Sequence, residues 1–258
     1  MNLQYIKINE AMNDGGYLLY ERLKAHSHEF HPVVKINVEK EKLMPFDFTE
    51  KNKDLLNIDL VDTEKFSDYV NSALKKAKAK YGIGGYDEDR VLYKRSAHFD
   101  NSFLKVSPVG ADLDGASRTI HLGIDIWGPQ GTEVFAPLGG MIHSFKFNNN
   151  FGDYGATLVL LHQLETMTFY TLYGHLSLDD IARISEFQYV TRGQVIGHFG
   201  KPEENGFWPP HLHFQVIKDM NEYKGDYPGV CKKSERKKYL NNSPDPDAIL
   251  NLMQYVKD

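Results

Sequence analysis

The sequence is poor in cysteine and contains no long hydrophobic run. Cys231 is the single cysteine among 258 residues, which excludes an intrachain disulfide and every metal site built on paired thiolates. We therefore expect a reducing compartment. The longest apolar run, Leu158–Leu161, is far shorter than the roughly 20 residues that cross a bilayer. A membrane is therefore not an expected partner.

An excess of positive charge is also lacking. The chain has 30 Lys and Arg residues against 35 Asp and Glu residues, a net charge of −5, which makes nucleic acid an unexpected partner. Residues 1–10 contain no basic region followed by an apolar stretch, so the sequence as written predicts a cytoplasmic location, and an extracytoplasmic one only if the native start differs. Hydrophobic residues at 41% and charged residues at 25% are typical of a soluble globular domain.

Residues 1–100 are predicted to form an N-terminal extension with helical segments. A short helix is predicted around Ala11–Leu23. An amphipathic helix near 62–81 follows an Asp62 cap, with apolar residues at helical spacing before a glycine-rich stop. We assign no chemistry to the acidic linker from Asp87 to Asp100, where Glu88 and Asp89 stand beside Arg90. The apolar positions of the second helix are Phe66, Tyr69, Val70, Ala73, Leu74, Ala77 and Tyr81.

Residues 101–225 are predicted to form an antiparallel β domain, because short β-rich runs are separated by Gly, Pro and Asn. One helix, opened by Ser177, interrupts them. Residues 226–258 are predicted to form a basic tail with a solvated helix face over 232–238, and then a last helix. That helix begins at Asp245-Pro246 and is predicted to turn Ile249, Leu252, Met253 and Val256 inward. The predicted strands are 132–136, 140–147, 156–163, 167–173, 194–199 and 211–217.

Histidine spacing points to metal chemistry. In His211–Ile217 polar and apolar residues alternate, so a strand would send His211 and His213 to one face. His121 and Asp125 would be roughly 13 Å apart in a straight strand, at about 3.3 Å per residue. Sharing an ion therefore requires a bend, for which Gly123 supplies dihedral freedom.

Two histidines and one carboxylate from this set, with one position left for water, are typical of catalytic zinc. Histidines that are simply hydrogen-bonded within a core are the alternative for each motif taken alone. The joint presence of both motifs with Tyr173-Gly174-His175-Leu176-Ser177 favours the metal site.

From Arg118 to Ile217 the sequence resembles the lysostaphin/LytM-like zinc endopeptidases of bacterial cell walls. The motifs occur in the family's order, although Pro209 stands where the family usually has Gly. They are Arg118–Asp125, Gly131–Gly140, Tyr154-Gly155, Leu172–Ser177, Val190–Gly197 and Pro210–Phe214.

The resemblance implies a mainly β, antiparallel two-layer structure, a duplicated hybrid motif of the LytM-like type, with an N-terminal α-helical extension and an open groove. It also implies one Zn²⁺ per chain, bound by His121, Asp125 and His213. His175 and His211 would flank the metal-bound water and serve proton transfer and oxyanion stabilisation. Tyr154 and Tyr173 are candidate substrate-binding residues, with the core or the groove wall as the alternative.

Two functions remain open at this stage. The first is a zinc-dependent endopeptidase that hydrolyses short flexible peptides, of which peptidoglycan-type peptides or muropeptides are the expected partners. The second is a metal-holding but non-catalytic binding or regulatory module of the same fold. The upstream segment is expected to lie beside or over the groove. His26, His28 and His31 form either a second metal site or cap, or an ordinary polar surface. The oligomeric state is not predicted.

Overall fold

The computed structural model describes residues 14–96, 99 and 117–256. Its helices are α1 (Asp14–Ala25), α2 (Thr63–Ala77), α3 (Leu178–Ile181), α4 (Arg236–Asn242) and α5 (Asp247–Leu250). Its strands are β1 (Leu43–Phe46), β2 (Tyr81–Gly84), β3 (Ile120–His121), β4 (Ile124–Trp127), β5 (Glu133–Phe135), β6 (Gly140–Asn148), β7 (Gly155–Leu164), β8 (Met167–Leu176), β9 (Tyr189–Val190), β10 (Val195–His198), β11 (His211–Ile217) and β12 (Val230–Cys231).

The architecture is built on an eight-stranded sheet in the order β1-β2-β4-β11-β8-β7-β6-β9. All neighbours in it are antiparallel except β1 and β2, which are parallel. The β5–β10 pair supplies buried residues to the same core as the large sheet, including Val134 and Ile196. The predicted mainly β, antiparallel structure with an N-terminal helical segment is therefore confirmed.

Helix α2 explains why β1 and β2 can be parallel, because parallel neighbours need a crossover connection. The Asp62 side chain caps the helix by accepting hydrogen bonds from the backbone N–H groups of Glu64 and Lys65. The helix ends at Ala77, where Lys78 adopts the left-handed conformation. The predicted helix to residue 81 was too long, because Tyr81 already begins β2.

The segments flanking the predicted β domain contribute strands of their own. β2 pairs with β4 from the region after residue 100, and β12 pairs with β3. Helix α1 packs against α4 and α5, so the two ends of the described chain meet. The upstream segment is therefore built into the sheet and is not a detached arm.

Strand positions in the β-rich region agree with the sequence prediction, and β11 has the predicted bounds. The short strands β1 to β4, β9 and β12 were not predicted. Helix α1 begins at Asp14, and residues 11–13 of the predicted helix lie outside the described residues. The last helix ends at Leu250, and Met253 is 38% exposed, so its predicted inward orientation was wrong. Within the described ranges, no helix has the length and apolarity of a membrane span.

A buried polar chain crosses the core of the large sheet. His162 Nδ1 donates to the carbonyl of Gly139 at 3.1 Å, and Nε2 lies 2.7 Å from Thr171 Oγ1. The hydroxyls of Thr171 and Tyr173 are 2.9 Å apart. Burial lowers the pKa of His162 to about 4, so this imidazole is neutral at pH 7.

Acid should destabilise the protein through His162. The pKa of His162 is lower in the folded chain than the 6.5 of an ordinary histidine. Its contribution to the free energy of unfolding is therefore present above pH 6.5 and is lost as the pH falls towards 4. We expect His162→Gln, which keeps one donor and one acceptor, to reduce this loss by roughly 3 kcal/mol. Urea unfolding at several pH values measures it. His28→Gln, at a side chain 77% exposed, is the control and should follow the wild type. Parallel curves for His162→Gln and wild type would contradict the prediction.

Candidate metal centre

Strand β11 separates its polar side chains from its apolar ones, as its alternation predicts. Leu212, Phe214 and Val216 lie in the main core, which leaves the opposite face to His211 and His213. His213 pairs with Asp125 of β4 in the antiparallel ladder. Because directly opposite residues share a face, the pairing brings the imidazole to the carboxylate.

The chain bends between His121 and Asp125, as expected, since β3 and β4 belong to different sheets. Gly123 is required there for a reason other than the one predicted. Its φ lies outside the left-handed region, but a Cβ at this position would come within 2.5 Å of His213 Cε1. Gly123 therefore provides the space in which His213 sits.

Three ligand atoms converge on one point. His121 Nε2 lies 3.0 Å from His213 Nδ1 and 3.3 Å from Asp125 Oδ1, and His213 Nδ1 lies 3.1 Å from the same oxygen. Ligands at ~2.0–2.1 Å from a tetrahedral zinc are ~3.3 Å apart, so the spacing fits this ion. In the described part of the chain, no other group of three His, Cys, Asp or Glu residues has such geometry.

Hydrogen bonds on the far side of each imidazole fix its protonation. His121 Nδ1 donates to the carbonyl of Gly85 at 2.9 Å. His213 Nε2 donates to Gln215 Oε1 at 3.0 Å, because Gln215 Nε2 is used by the carbonyl of Pro228 and by Ser243 Oγ. Lone pairs of both histidines therefore face an ionised carboxylate. Such a set of acceptors calls for a cation between them.

Burial and nearby charges keep His121 and Asp125 in the protonation states that metal binding needs. Burial, followed by the charge of Arg90, lowers the pKa of His121 to about 4. Burial alone would raise the pKa of Asp125, but His121 and Arg90 outweigh it and hold that pKa well below its usual value. At neutral pH the imidazole is thus neutral and the carboxylate ionised, as metal binding requires.

His175 and His211 lie beside the three ligands with their rings 4.1 Å apart. His175 Nδ1 donates to the carbonyl of Asn205 at 2.7 Å, and His211 Nδ1 to that of Pro209 at 2.8 Å. The Nε2 atom of each ring thus carries the lone pair. Burial lowers the pKa of His211 to about 4 and that of His175 well below its usual value. Both rings are neutral proton acceptors at pH 7.

Each of these two rings is held in an unusual way. His211 stacks on Trp127, with centroids 3.8 Å apart and planes 12° apart. His175 has a φ of 64°, which is rare for a residue with a side chain. Its N–H donates to the carbonyl of Tyr154 at 2.8 Å, and its carbonyl accepts from Gly200 N–H at 2.9 Å. Backbone strain maintained in this way is typical of functional sites.

A cavity of about 230 Å³ opens onto Asp125, His175, His211 and His213. Among the described residues, the site therefore lies in a walled pocket and not in the open groove that was predicted. The upstream segment forms one wall, in agreement with the expectation that it lies beside the site, and the segment after β11 forms another. Aromatic and apolar residues from these walls include Leu92, Tyr93, Phe99, Tyr223, Tyr227 and Val230.

The two candidate substrate-binding tyrosines lie in different places. Tyr154 lines the cavity, and its hydroxyl lies 3.4 Å from both His213 Nε2 and Gln215 Oε1. Tyr173 pairs with Phe214 and is fully buried in the main core, on the face of β11 away from His213. The structure does not bring Tyr173 to the site, because the strand pairing fixes its side chain on the opposite face.

The histidines of the upstream segment lie outside the metal centre. His26 contacts Glu29 at 2.8 Å and Glu165 at 3.2 Å. The His28 side chain is mostly exposed, and the His31 ring packs near Phe135. These contacts agree with an ordinary polar surface.

Several residues that support the site were missed in the sequence. Arg90, from the linker assigned no chemistry, is buried and donates to Asp125 Oδ2. The basic tail is not wholly solvated, since Arg236 Nε donates to Asp87 Oδ1 at 2.6 Å. Asn205, which is fully buried, bonds the backbone of Gly200 and Trp208. No periodicity or motif marks these positions, because their roles depend on long-range contacts.

Residues 119–225 match the model of peptidase family M23. The chain is 34% identical over 135 residues to DD-carboxypeptidase/endopeptidase Mpg of Neisseria meningitidis serogroup B and to its namesake in Neisseria gonorrhoeae. Each match covers 52% of this chain and 26% of the relative, so the chain spans about a quarter of the length of these curated relatives.

Solved structures give similar neighbours. A zinc-containing peptidase from Vibrio cholerae is 29% identical, with 39% of this chain and 28% of that chain covered and a TM-score of 0.31. The catalytic domain of the antimicrobial peptidase lysostaphin from Staphylococcus simulans is 24% identical. That match covers 46% of this chain and 80% of the other, with a TM-score of 0.32.

Proposed function

We propose that this chain, whose residues 119–225 match the model of peptidase family M23, is a zinc-dependent endopeptidase that binds one Zn²⁺. Its proposed substrates are short flexible peptides of the peptidoglycan type. The observation that carries the proposal is the convergence of two imidazole lone pairs and one carboxylate oxygen at 3.0 to 3.3 Å. Three protein ligands leave one coordination position for water or substrate, as in catalytic zinc sites.

The chain's own residues then divide the work of hydrolysis. A zinc ion held by His121, Asp125 and His213 would supply Lewis acidity and a water of lowered pKa. The neutral rings of His175 and His211 have their Nε2 lone pairs available to accept a proton from an attacking water. The resulting imidazolium can donate to the leaving amine or stabilise the oxyanion.

Substrate binding is proposed for the cavity beside these rings. Tyr154 forms part of its wall, and Tyr93 and Tyr227 stand on walls contributed by other segments. A cavity of about 230 Å³ accommodates small side chains or a chain end. Short, sterically simple peptides fit this space, which supports the proposed substrate class.

A non-catalytic binding module is the less favoured alternative. Such a module would need the three ligands but not two further neutral histidines lining the same cavity. Both His175 and His211 line it, and both are tied at Nδ1 so that Nε2 remains available. This arrangement favours the hydrolase.

Removing and restoring the metal tests the proposal. Digestion of a panel of muropeptides and polyglycine peptides, analysed by mass spectrometry, should show cleavage that is lost with a chelator and restored by zinc. The melting temperature should fall with chelator and recover with zinc, because an ion that binds the folded state stabilises it. His162→Gln, whose imidazole lies outside the metal centre, is the control and should retain zinc-dependent cleavage. Stoichiometric zinc without cleavage of any peptide would favour the binding module.

A further inference from the structure

Arg90 bonds one metal ligand directly and also bonds the carbonyl that accepts a hydrogen bond from another ligand. Its Nη1 donates to Asp125 Oδ2, and its Nη2 donates to the carbonyl of Gly85 at 3.3 Å. The same carbonyl accepts the hydrogen bond from His121 Nδ1. The third donor, Nε, is bound to Glu88 Oε2 at 2.6 Å. One guanidinium therefore binds three acceptors at once, two of which belong to or hold a metal ligand.

The contact with Asp125 determines which carboxylate oxygen can reach a metal. Oδ1 faces His121 and His213, whereas Oδ2 is occupied by Arg90. A carboxylate with both oxygens available can bind an ion through both, and the second oxygen would then fill a position needed by water or substrate.

We propose that Arg90 is a positioning residue that restricts Asp125 to one-oxygen coordination and so keeps the fourth position on the metal open. The inference rests on the proposed zinc site, and it extends that site beyond residues 119–225, the part that matches the peptidase family. Arg90 does not contact the reacting atoms, and its effect on hydrolysis is exerted through Asp125.

Arginine suits this position better than lysine. The planar guanidinium offers donors in a fixed fork, so it can bind Asp125, Gly85 and Glu88 at once. The Arg90 side chain has no exposed surface, and that of Glu88 has 14%. Their charges compensate each other in the interior, because a buried ion is tolerated only when it is paired.

The test uses variants that separate the charge from the fork. Arg90→Met combined with Glu88→Gln removes the guanidinium together with the Glu88 charge that it compensates, so that only Asp125, the carboxylate under test, loses its partner. Arg90→Lys keeps the charge and loses the fork. Asp87→Asn combined with Arg236→Met is the matched control, because it removes an ion pair from the same 85–90 segment whose two side chains bond each other and not a metal ligand. Melting temperature monitors folding in all of them.

Metal binding is the main measurement, made with Zn²⁺ by chelator competition and with Co²⁺ by visible absorption. We expect the Arg90→Met/Glu88→Gln variant to lose roughly 10–100-fold in zinc affinity, the usual effect of losing a ligand's supporting partner. Its Co²⁺ bands should weaken, since a second oxygen from Asp125 raises the coordination number. Arg90→Lys should show the same change to a smaller extent. The control should keep wild-type affinity and spectrum even if it melts earlier.

The outcomes distinguish this inference from the proposed activity. If the Co²⁺ spectrum changes in the Arg90 variants while the wild type hydrolyses no peptide, the positioning role stands and the endopeptidase proposal fails. If the wild type hydrolyses peptides and either folded Arg90 variant keeps both the spectrum and the zinc affinity, the positioning role is refuted. A wild-type protein that binds neither ion would overturn both.

Discussion

Replacing His213 with alanine is expected to abolish stoichiometric zinc binding. His213 is one of three protein ligands, and His121 and Asp125 alone cannot complete the site. Loss of its imidazole also removes the nearer of the two donors to Gln215 Oε1, the Tyr154 hydroxyl being the other. Zinc content after dialysis, measured by elemental analysis, should fall from about one ion per chain to background. Hydrolysis should disappear with it.

His211→Ala is the matched control for this variant. His211 lies on the same strand and the same face, but its Nδ1 is bound to the carbonyl of Pro209 and it is not one of the three converging residues. We expect this variant to keep its zinc. Full zinc occupancy in His213→Ala would disprove the ligand assignment, and equal loss from both variants would show that the strand face as a whole, rather than one ligand, was disturbed.

Replacing His175 is expected to separate catalysis from metal binding. The variant should retain zinc and lose roughly 10²–10⁴-fold in turnover, the usual contribution of a positioned acid–base group. The Michaelis constant should change little, because an interaction made mainly in the transition state adds little to substrate binding. Zinc content and steady-state kinetics on one cleaved peptide measure these effects.

The backbone conformation of His175 dictates the choice of substitution. At a φ of 64° alanine is strained, whereas asparagine tolerates the left-handed region. His175→Ala and His175→Asn should therefore lose turnover alike, with the alanine variant melting earlier. Combining His175→Ala with His211→Ala should reduce turnover by less than the product of the two single reductions if both rings act on one transition state. Loss of zinc from His175→Asn would make His175 a ligand, and unchanged turnover would remove it from the mechanism.

The sequence was sufficient to predict the ligand face because strand alternation is a local property. His211–Ile217 alternates polar and apolar residues, and β11 has those bounds and that orientation. Asp62 likewise marked the start of α2 through a hydrogen bond to nearby backbone. The bend at Gly123 was predicted from the distance that the ligands must cover. Its steric reason was not, because the neighbour is His213, distant in sequence.

The sequence could not predict the orientation of residues whose partners are distant along the chain. Tyr173 looked like a site residue because it is adjacent to Gly174 and His175, but the pairing with Phe214 directs it into the core. Arg90 looked like part of an acidic linker without chemistry, since nothing local shows that Asp125 lies beside it. The end of α2 was misplaced because Tyr81 continues the helical spacing yet belongs to a strand pressed against β1.

The position of Gly85 and Arg90 has a practical consequence for anyone dissecting this protein. A recombinant fragment cut at the start of the family match would contain all three ligands and both flanking histidines. It would lack the carbonyl that orients His121, the guanidinium bound to Asp125 and the strand β2 beside β4. Such a fragment would have the complete motif without the surroundings that give it shape. The smallest part of this chain that keeps the surroundings of the metal centre is therefore longer than its recognisable signature, and the excision point belongs upstream of β1.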